Sequence, residues 1–484
     1  MQEFIVIGAG YGGLAAASLL AKNRKDVLLL ESHSKIGGCA SFYKRKEFTF
    51  DVGATTISGV KKHQPLGKLF NYLELKPELL RVDPGLIVKL EDKQISRNAH
   101  RETWIKNAEL LFNSENQRKF WNEVFETNEL AWQFISENNT ILPRNFNDIF
   151  TLTKLSNLKY TKLLPYIFKS VHHFVEKYNL TDAAFHRFLQ EQLLITTQNS
   201  ISDSPFLTAA MGLAYPSDTY YPVGGMYKPA ELLLESFKSS GGEIQVKKRV
   251  KSIGKVKSGY LISLQNGDQL LAKNVISNIP IWNMVEMTEG KIKKYFEEKS
   301  KLFNFSWGAF TVNFGIESKE ELDSLYYQIH TNEKIPHCDS NSFFVSFSHI
   351  DDRQRAPEGS RSVTISLHTN VKNWINLSTE EYNQKKEMTT STILSHFDIN
   401  FPQFKNSEKL HLLFGTPKTF QFYTGRSNGF VGGIPHSVSK NLLKIPSNIS
   451  PFDGLYLVGD TVFPGQGTPA VVLGALNIVN EILN

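Results

Sequence analysis

Two short, uninterrupted apolar runs open the chain, Phe4-Ile5-Val6-Ile7 and Val27-Leu28-Leu29-Leu30. Each suits a parallel strand buried on both faces. Between them a glycine-rich turn continues into Leu14-Ala15-Ala16-Ala17, the pattern of a helix of small residues. From residue 61 to 219 the periodicity changes. Phe120, Trp121, Phe125, Trp132 and Phe134 recur at helical spacing, and glycine nearly vanishes between about 86 and 211, which predicts a helical insertion. Within it, Ile167, Val171, Phe174 and Tyr178 would share one helical face, with Lys159, Lys162, Lys169 and Lys177 alongside. That pattern suits a helix lying in a membrane interface, and equally a core helix. Beyond it, a helical pattern over about 229–239 precedes strand-like runs at 250–253, 260–264 and 274–278. Asn266-Gly267-Asp268 supplies a hairpin signal between the last two. From 290 to 430 short strand patterns dominate, such as 309–314, 342–347 and 362–368, which predicts a separate antiparallel sheet. A last apolar strand over 454–458 ends in Gly459-Asp460, a glycine loop and a helix of small residues from Ala470.

The turn after the first strand is Gly8-Ala9-Gly10-Tyr11-Gly12-Gly13, with glycines at G-x-G-x-x-G spacing. Gly8 permits the tight turn, Gly10 clears the backbone for a pyrophosphate, and Gly13 lets the helix pack closely on the sheet. The helix N-terminus offers N–H groups and partial positive charge to phosphates. Glu31 ends the second strand about 20 residues beyond the last glycine, where an acid accepts from ribose hydroxyls and disfavours a 2′-phosphate. Strand, turn, helix, second strand and acid agree on a dinucleotide site. Gly37-Gly38 follows, then Asp51-Val52-Gly53. This order resembles flavoproteins that hold FAD in a two-part Rossmann-type site. Amine oxidases of that kind carry an Arg after the paired glycine; Cys39 stands here, which points away from them.

Composition narrows the class. With 484 residues, 41% apolar and 21% charged, the chain is a soluble globular protein of two or three domains. The net charge of +6 is small for this length and permits contact with an anionic membrane surface. No basic block or recognition motif points to nucleic acid. Cys39 and Cys338 form no C-x-x-C pair or disulfide framework, which fits a reducing compartment. No apolar run approaches the roughly 20 residues of a membrane span. The expected location is cytoplasmic, with peripheral membrane contact permitted. The adjacent His172-His173 pair cannot present two ligands on one helix face, and no spaced metal ligands or nucleophile motif occur, so no metal is expected.

Residues 4–54, 221–278 and 454–479 together resemble the carotenoid desaturase and carotenoid isomerase family of FAD-dependent oxidoreductases, near neighbours of the retinol saturases. Val458-Gly459-Asp460 with Phe463-Pro464-Gly465-Gln466-Gly467 is the most telling block. The resemblance implies an α/β fold: a Rossmann-type FAD-binding domain in pieces (1–60, 220–289 and 431–484), a helical insertion facing substrate or membrane (61–219), and a mixed-sheet substrate domain (290–430). It implies that Gly8, Gly10, Gly12 and Gly13 cradle the pyrophosphate, and that Glu31 and Ser32 meet the adenosine ribose. Gly37 and Gly38 lie close by, Val250 approaches the adenine through its main chain, and Gly459, Asp460, Gly467 and Thr468 line the flavin side. The implied substrate is a long apolar conjugated isoprenoid, desaturated or isomerised. A retinol saturase-like reductase, an amine oxidase-type flavoenzyme and a non-catalytic FAD carrier are the competing readings. A polyene needs little acid–base help, and no catalytic dyad is found.

Overall fold

The computed structural model describes residues 1–91, 93–138, 154–304, 306–440 and 444–484. Part of the expected insertion, 139–153, lies outside the described residues.

The fold is α/β, built on two seven-stranded sheets. In the first, strand Gln2–Ile7 lies at the centre, parallel to Val27–Leu30 on one side and to Gln269–Ser277 on the other. Its four apolar residues, Phe4 to Ile7, are buried on both faces, as a parallel strand covered by helices requires. On the edge away from Gln2–Ile7, strand Gln269–Ser277 serves two further partners along its length. Its first half pairs antiparallel with Gly259–Leu264 across the Gly267 turn, and its second half pairs parallel with the C-terminal strand Leu455–Leu457. Both chain ends therefore meet in one sheet. Helices Tyr11–Lys22, Tyr227–Ser239 and Thr468–Leu483 cover one face, and Ala15, Ala16, Ala230, Ala475 and Ile478 form the core beneath.

The second sheet runs Leu410–Gly415, Gly308–Glu317, Ser360–Thr369, Ser342–Phe347, Tyr326–His330, Ile87–Leu90 and Lys93–Ser96. Its strands alternate by face. Val363, Ile365 and Leu367 pack with Ile393 and Phe397 of the long helix Thr379–Asn400. Ser342, Ser366, His368 and Thr311 line a cavity. The cavity face carries several small polar residues beside Phe344 and His368, which leaves open space there. Helix Thr379–Asn400 was not expected among the strand patterns of 290–430.

Two expectations for the insertion change. Residues 87–96 form a hairpin in the second sheet, with Ile87 parallel to Tyr327. The face drawn from Ile167 to Tyr178 is broken, because helix Leu164–Phe168 ends at Lys169 and helix Val171–Lys177 starts after Ser170. The backbone at Lys169 and Ser170 is extended and bridges to Pro205. Val171, Phe174 and Val175 consequently turn into the insertion core, whereas Leu164 and Phe168 stay exposed. That core centres on Trp104, Trp121 and Phe188, with the Arg97 guanidinium 4.0 Å from the Trp104 ring centroid.

A buried ion pair joins the short strand Phe48–Asp51 to the loop between strands Ser342–Phe347 and Ser360–Thr369. Arg355 Nη1 lies 2.7 Å from Asp51 Oδ2, and Asp51 Oδ1 accepts from the Met226 N–H. Asp352 beside it accepts from the Tyr221 hydroxyl and the Gly224 N–H.

Candidate active site

The site grows from the turn at Gly8. The Gly8 N–H donates to Leu30 O, which joins the first two strands at the point where both end. The chain then swings back so tightly that a Cβ on Gly13 would lie 2.0 Å from Gly8 O. No side chain fits there. One on Gly10 would meet Asn278 Nδ2 at 2.8 Å, and one on Gly12 would meet Val458 Cγ2 at 2.8 Å. Gly37, with φ of 99°, donates its N–H to Ala9 O, so the second glycine pair lies directly on the first turn.

Glu31 is buried beside this turn and holds it. Its carboxylate accepts from the Ala9 N–H at 2.8 Å, the His33 N–H at 2.8 Å and the Ser32 hydroxyl at 3.2 Å. A carboxylate offers about four acceptor positions, so one remains for a ribose hydroxyl. Asn278, just past the end of strand Gln269–Ser277, was not singled out by the sequence. Its Nδ2 donates to Gly8 O at 3.3 Å, and a Cβ on Gly459 would meet its Oδ1 at 2.9 Å. It is the shared floor of the N-terminal turn and the C-terminal loop.

At the C-terminal side, Asp460 does not face the cavity alone. Arg426 Nη2 lies 2.7 Å from Asp460 Oδ2, and the Arg426 Nε donates to Phe430 O. Asp460 holds the Arg426 guanidinium above its ordinary value against the opposing pull of burial, and Cys39 stands near the same charge. Burial raises the Cys39 thiol, so it is no ready thiolate. Arg426 was also missed, since a lone Arg between Gly425 and Ser427 carries no pattern until its partner 34 residues on is in view. Helix Thr468–Leu483 starts at Gly467 without a side-chain cap, as helix Tyr11–Lys22 does at Gly10. Two helix N-termini thus approach one space.

That space is a cavity of about 1680 Å³. It is larger than the roughly 300–1,000 Å³ of an ordinary small-molecule pocket. Gly8, Gly10, Gly12, Glu31, Ser32 and Val250 line one part of it. Gly37, Gly38, Gly459, Asp460, Gly467 and Thr468 line the adjoining part. Gly13 lies beneath, in the turn's packing. A second branch is apolar, with Trp132, Phe134, Leu163, Ile167, Leu207 and Met211 from the insertion. Over it stand Phe344 and His368 of the second sheet, and burial pushes His368 down to about 4. His436, near the C-terminal loop, is pushed down to about 4 by the same cause. Both imidazoles are neutral. Among the described residues no cluster of metal ligands occurs, and no helix is long and apolar enough to cross a membrane.

The glycine cradle, the acid at the end of the second strand and two uncapped helix N-termini fit a dinucleotide. A family model described as "Flavin containing amine oxidoreductase" matches residues 11–408. The chain belongs to this flavin-containing family. Its cofactor is FAD, and it is an FAD-dependent oxidoreductase. The absent Arg after Gly37-Gly38 does not set it outside the family. The chain is 29% identical to the chloroplastic prolycopene isomerase of Daucus carota, over 99% of this chain and 80% of that one. It is 24% identical to the all-trans-retinol 13,14-reductase of Danio rerio, over 100% of this chain and 86% of that one. The crystal structure of an oxidoreductase from Methanosarcina mazei has the same fold, with a TM-score of 0.63 at 17% identity, covering 99% of this chain and 100% of that chain.

Proposed function

We propose that this flavoenzyme acts on a long apolar conjugated isoprenoid, by cis–trans isomerisation or desaturation. The observation that carries the proposal is the apolar branch of the cavity, continuous with the glycine turns. FAD, when bound, supplies the redox chemistry. The residues named for it are Gly8, Gly10, Gly12, Gly13, Glu31, Ser32, Gly37, Gly38, Val250, Gly459, Asp460, Gly467 and Thr468, on three chain segments (1–60, 220–289 and 431–484) acting as one body. The two glycine turns and helix N-termini would hold its phosphates, and Asp460, kept in place by Arg426, would face its sugar-alcohol chain. Trp132, Phe134, Leu163, Ile167, Leu207 and Met211 would exclude water and keep a flat apolar chain beside the cofactor. The resemblance to prolycopene isomerase supports this substrate class. The resemblance to a retinol reductase favours a second reading, saturation of one double bond in a shorter polyene.

Such a substrate resides in a membrane. Leu158, Leu164 and Phe168 line the cavity and are each more than half exposed, at 55%, 56% and 53%. They stand where the cavity opens, with Leu155 at 86% beside them. Lys162 and Lys169 flank the patch, while Lys159 beside them pairs with Glu137 at 3.0 Å. An apolar patch flanked by lysines suits an anionic bilayer interface, and substrate would enter there.

Expression in a polyene-producing host, followed by chromatography of the pigments, tests the proposal. A changed cis–trans or desaturation profile that depends on Gly10 is expected. An unchanged profile with the flavoprotein present would overturn it.

A further inference from the structure

Arg426 lies outside the three segments named for the cofactor. It follows helix Pro417–Thr424, which continues strand Leu410–Gly415 of the second sheet. It nevertheless lines the cavity beside Cys39 and Asp460. Its guanidinium is only partly engaged. Nε donates to Phe430 O, and Nη2 donates to Asp460 Oδ2 at 2.7 Å. A guanidinium has five N–H donors, and among the described residues nothing accepts from Nη1. Burial opposes the charge, and Asp460 sustains it. A cationic arm withdrawn from water with its donors unpaired is costly until an acceptor meets it.

The surroundings point to that acceptor. Cys39 follows Gly38, where a Cβ would lie 3.5 Å from Gly10 Cα. Asp460 follows Gly459, whose N would lie 3.4 Å from a Cβ on Gly12. Both neighbours of the guanidinium therefore adjoin the Gly10–Gly12 turn, where helix Tyr11–Lys22 starts without a side-chain cap. A helix N-terminus attracts anions, and Arg426 borders the same space. Cys39 brings no charge of its own, because burial raises its thiol. Arg426 thus supplies the cation on this side of the turn. The anion that FAD carries into that space is its pyrophosphate.

We infer that Arg426 binds the pyrophosphate of FAD through Nη1, while Nη2 keeps Asp460 for the sugar-alcohol chain. The guanidinium serves two parts of the cofactor at once. The chain stretch that builds the second sheet then contributes a cofactor ligand, and bound FAD joins it to the first sheet. The assignment is independent of the substrate reading.

The test uses the full-length protein stripped of FAD and two probes that divide the cofactor, with binding followed by calorimetry. ADP carries the pyrophosphate without the sugar-alcohol chain, and riboflavin carries that chain without phosphate. Arg426→Gln is expected to weaken ADP about tenfold or more, the worth of one hydrogen bond to a charged group. Asp460→Asn is expected to weaken riboflavin and to leave ADP as tight as before. An Arg426 that acted only through Asp460 would make the two variants alike. ADP affinity unchanged by Arg426→Gln, or lowered equally by Asp460→Asn, would overturn the assignment, as would failure of ADP to bind the unaltered protein. Should Arg426→Gln fail to fold, Arg426→Lys takes its place, since a compact ammonium cannot span both partners as the fork does. Unaltered affinity of that variant for both probes would overturn the assignment.

Discussion

A Cβ on Gly13 would press against the Gly8 carbonyl at 2.0 Å, whereas one on Gly267, in an open hairpin turn, meets nothing within 4 Å. Gly13→Ala is therefore expected to yield colourless protein. Gly267→Ala should keep its flavin and lose only the roughly 1–2 kcal/mol of a left-handed backbone position. Visible absorbance per chain checks both. His368 and His436 provide a second test. Their imidazoles are held down to about 4 by burial, while the unfolded chain binds those protons below about 6.5. The unfolded state thus takes up more protons in that window, and stability is lost as pH falls from about 6.5 towards 4. Urea midpoints should drop over this range, and replacing both residues with Gln should flatten the slope. At this scale the sequence was readable wherever backbone geometry demanded glycine. Arg426 and Asn278 were not readable. Asn278 is only a polar residue just past a strand until two loops converge on it.

Elements with strong periodicity were foreseen closely. Val27–Leu30 and Ser342–Phe347 occur at the expected residues. The hairpin at 87–96 was hidden because its partner, Tyr326–His330, lies far along the chain and pairs in parallel, where only loop closure over a long span brings the two together. The broken helix near Lys169 has a similar origin. Local spacing favours one amphipathic helix, but the extended bridge from Ser170 to Pro205 divides it. The break leaves Leu164 and Phe168 outside the insertion core, so changing them should not unfold it. Leu164→Glu with Phe168→Glu is expected to abolish co-sedimentation with anionic vesicles and to shift the thermal midpoint little. Retained vesicle binding would remove the patch from the entry route.

Across the whole molecule, Asp51 and Arg355, both deeply buried, join the short strand Phe48–Asp51 to the loop that precedes strand Ser360–Thr369 of the second sheet. Arg355→Met would strand the Asp51 carboxylate, at a cost of about 3–5 kcal/mol. The urea midpoint should fall accordingly, and Asp51→Leu in the same chain should restore part of it. The glycine turns at the edge of the first sheet and Thr311, Ser342 and His368 of the second line one cavity, so its walls come from both. That joint was not visible in the sequence, since Asp51 reads as part of the Asp-Val-Gly turn and Arg355 as an ordinary surface loop. The most direct measurement is the difference spectrum of a polyene delivered in vesicles to FAD-loaded protein, against the same protein stripped of FAD, under anaerobic conditions with the flavin reduced. The account requires the polyene band to change, through isomerisation or altered conjugation, in the loaded protein alone. A polyene band that stays the same with FAD bound, or changes equally without it, would contradict the account.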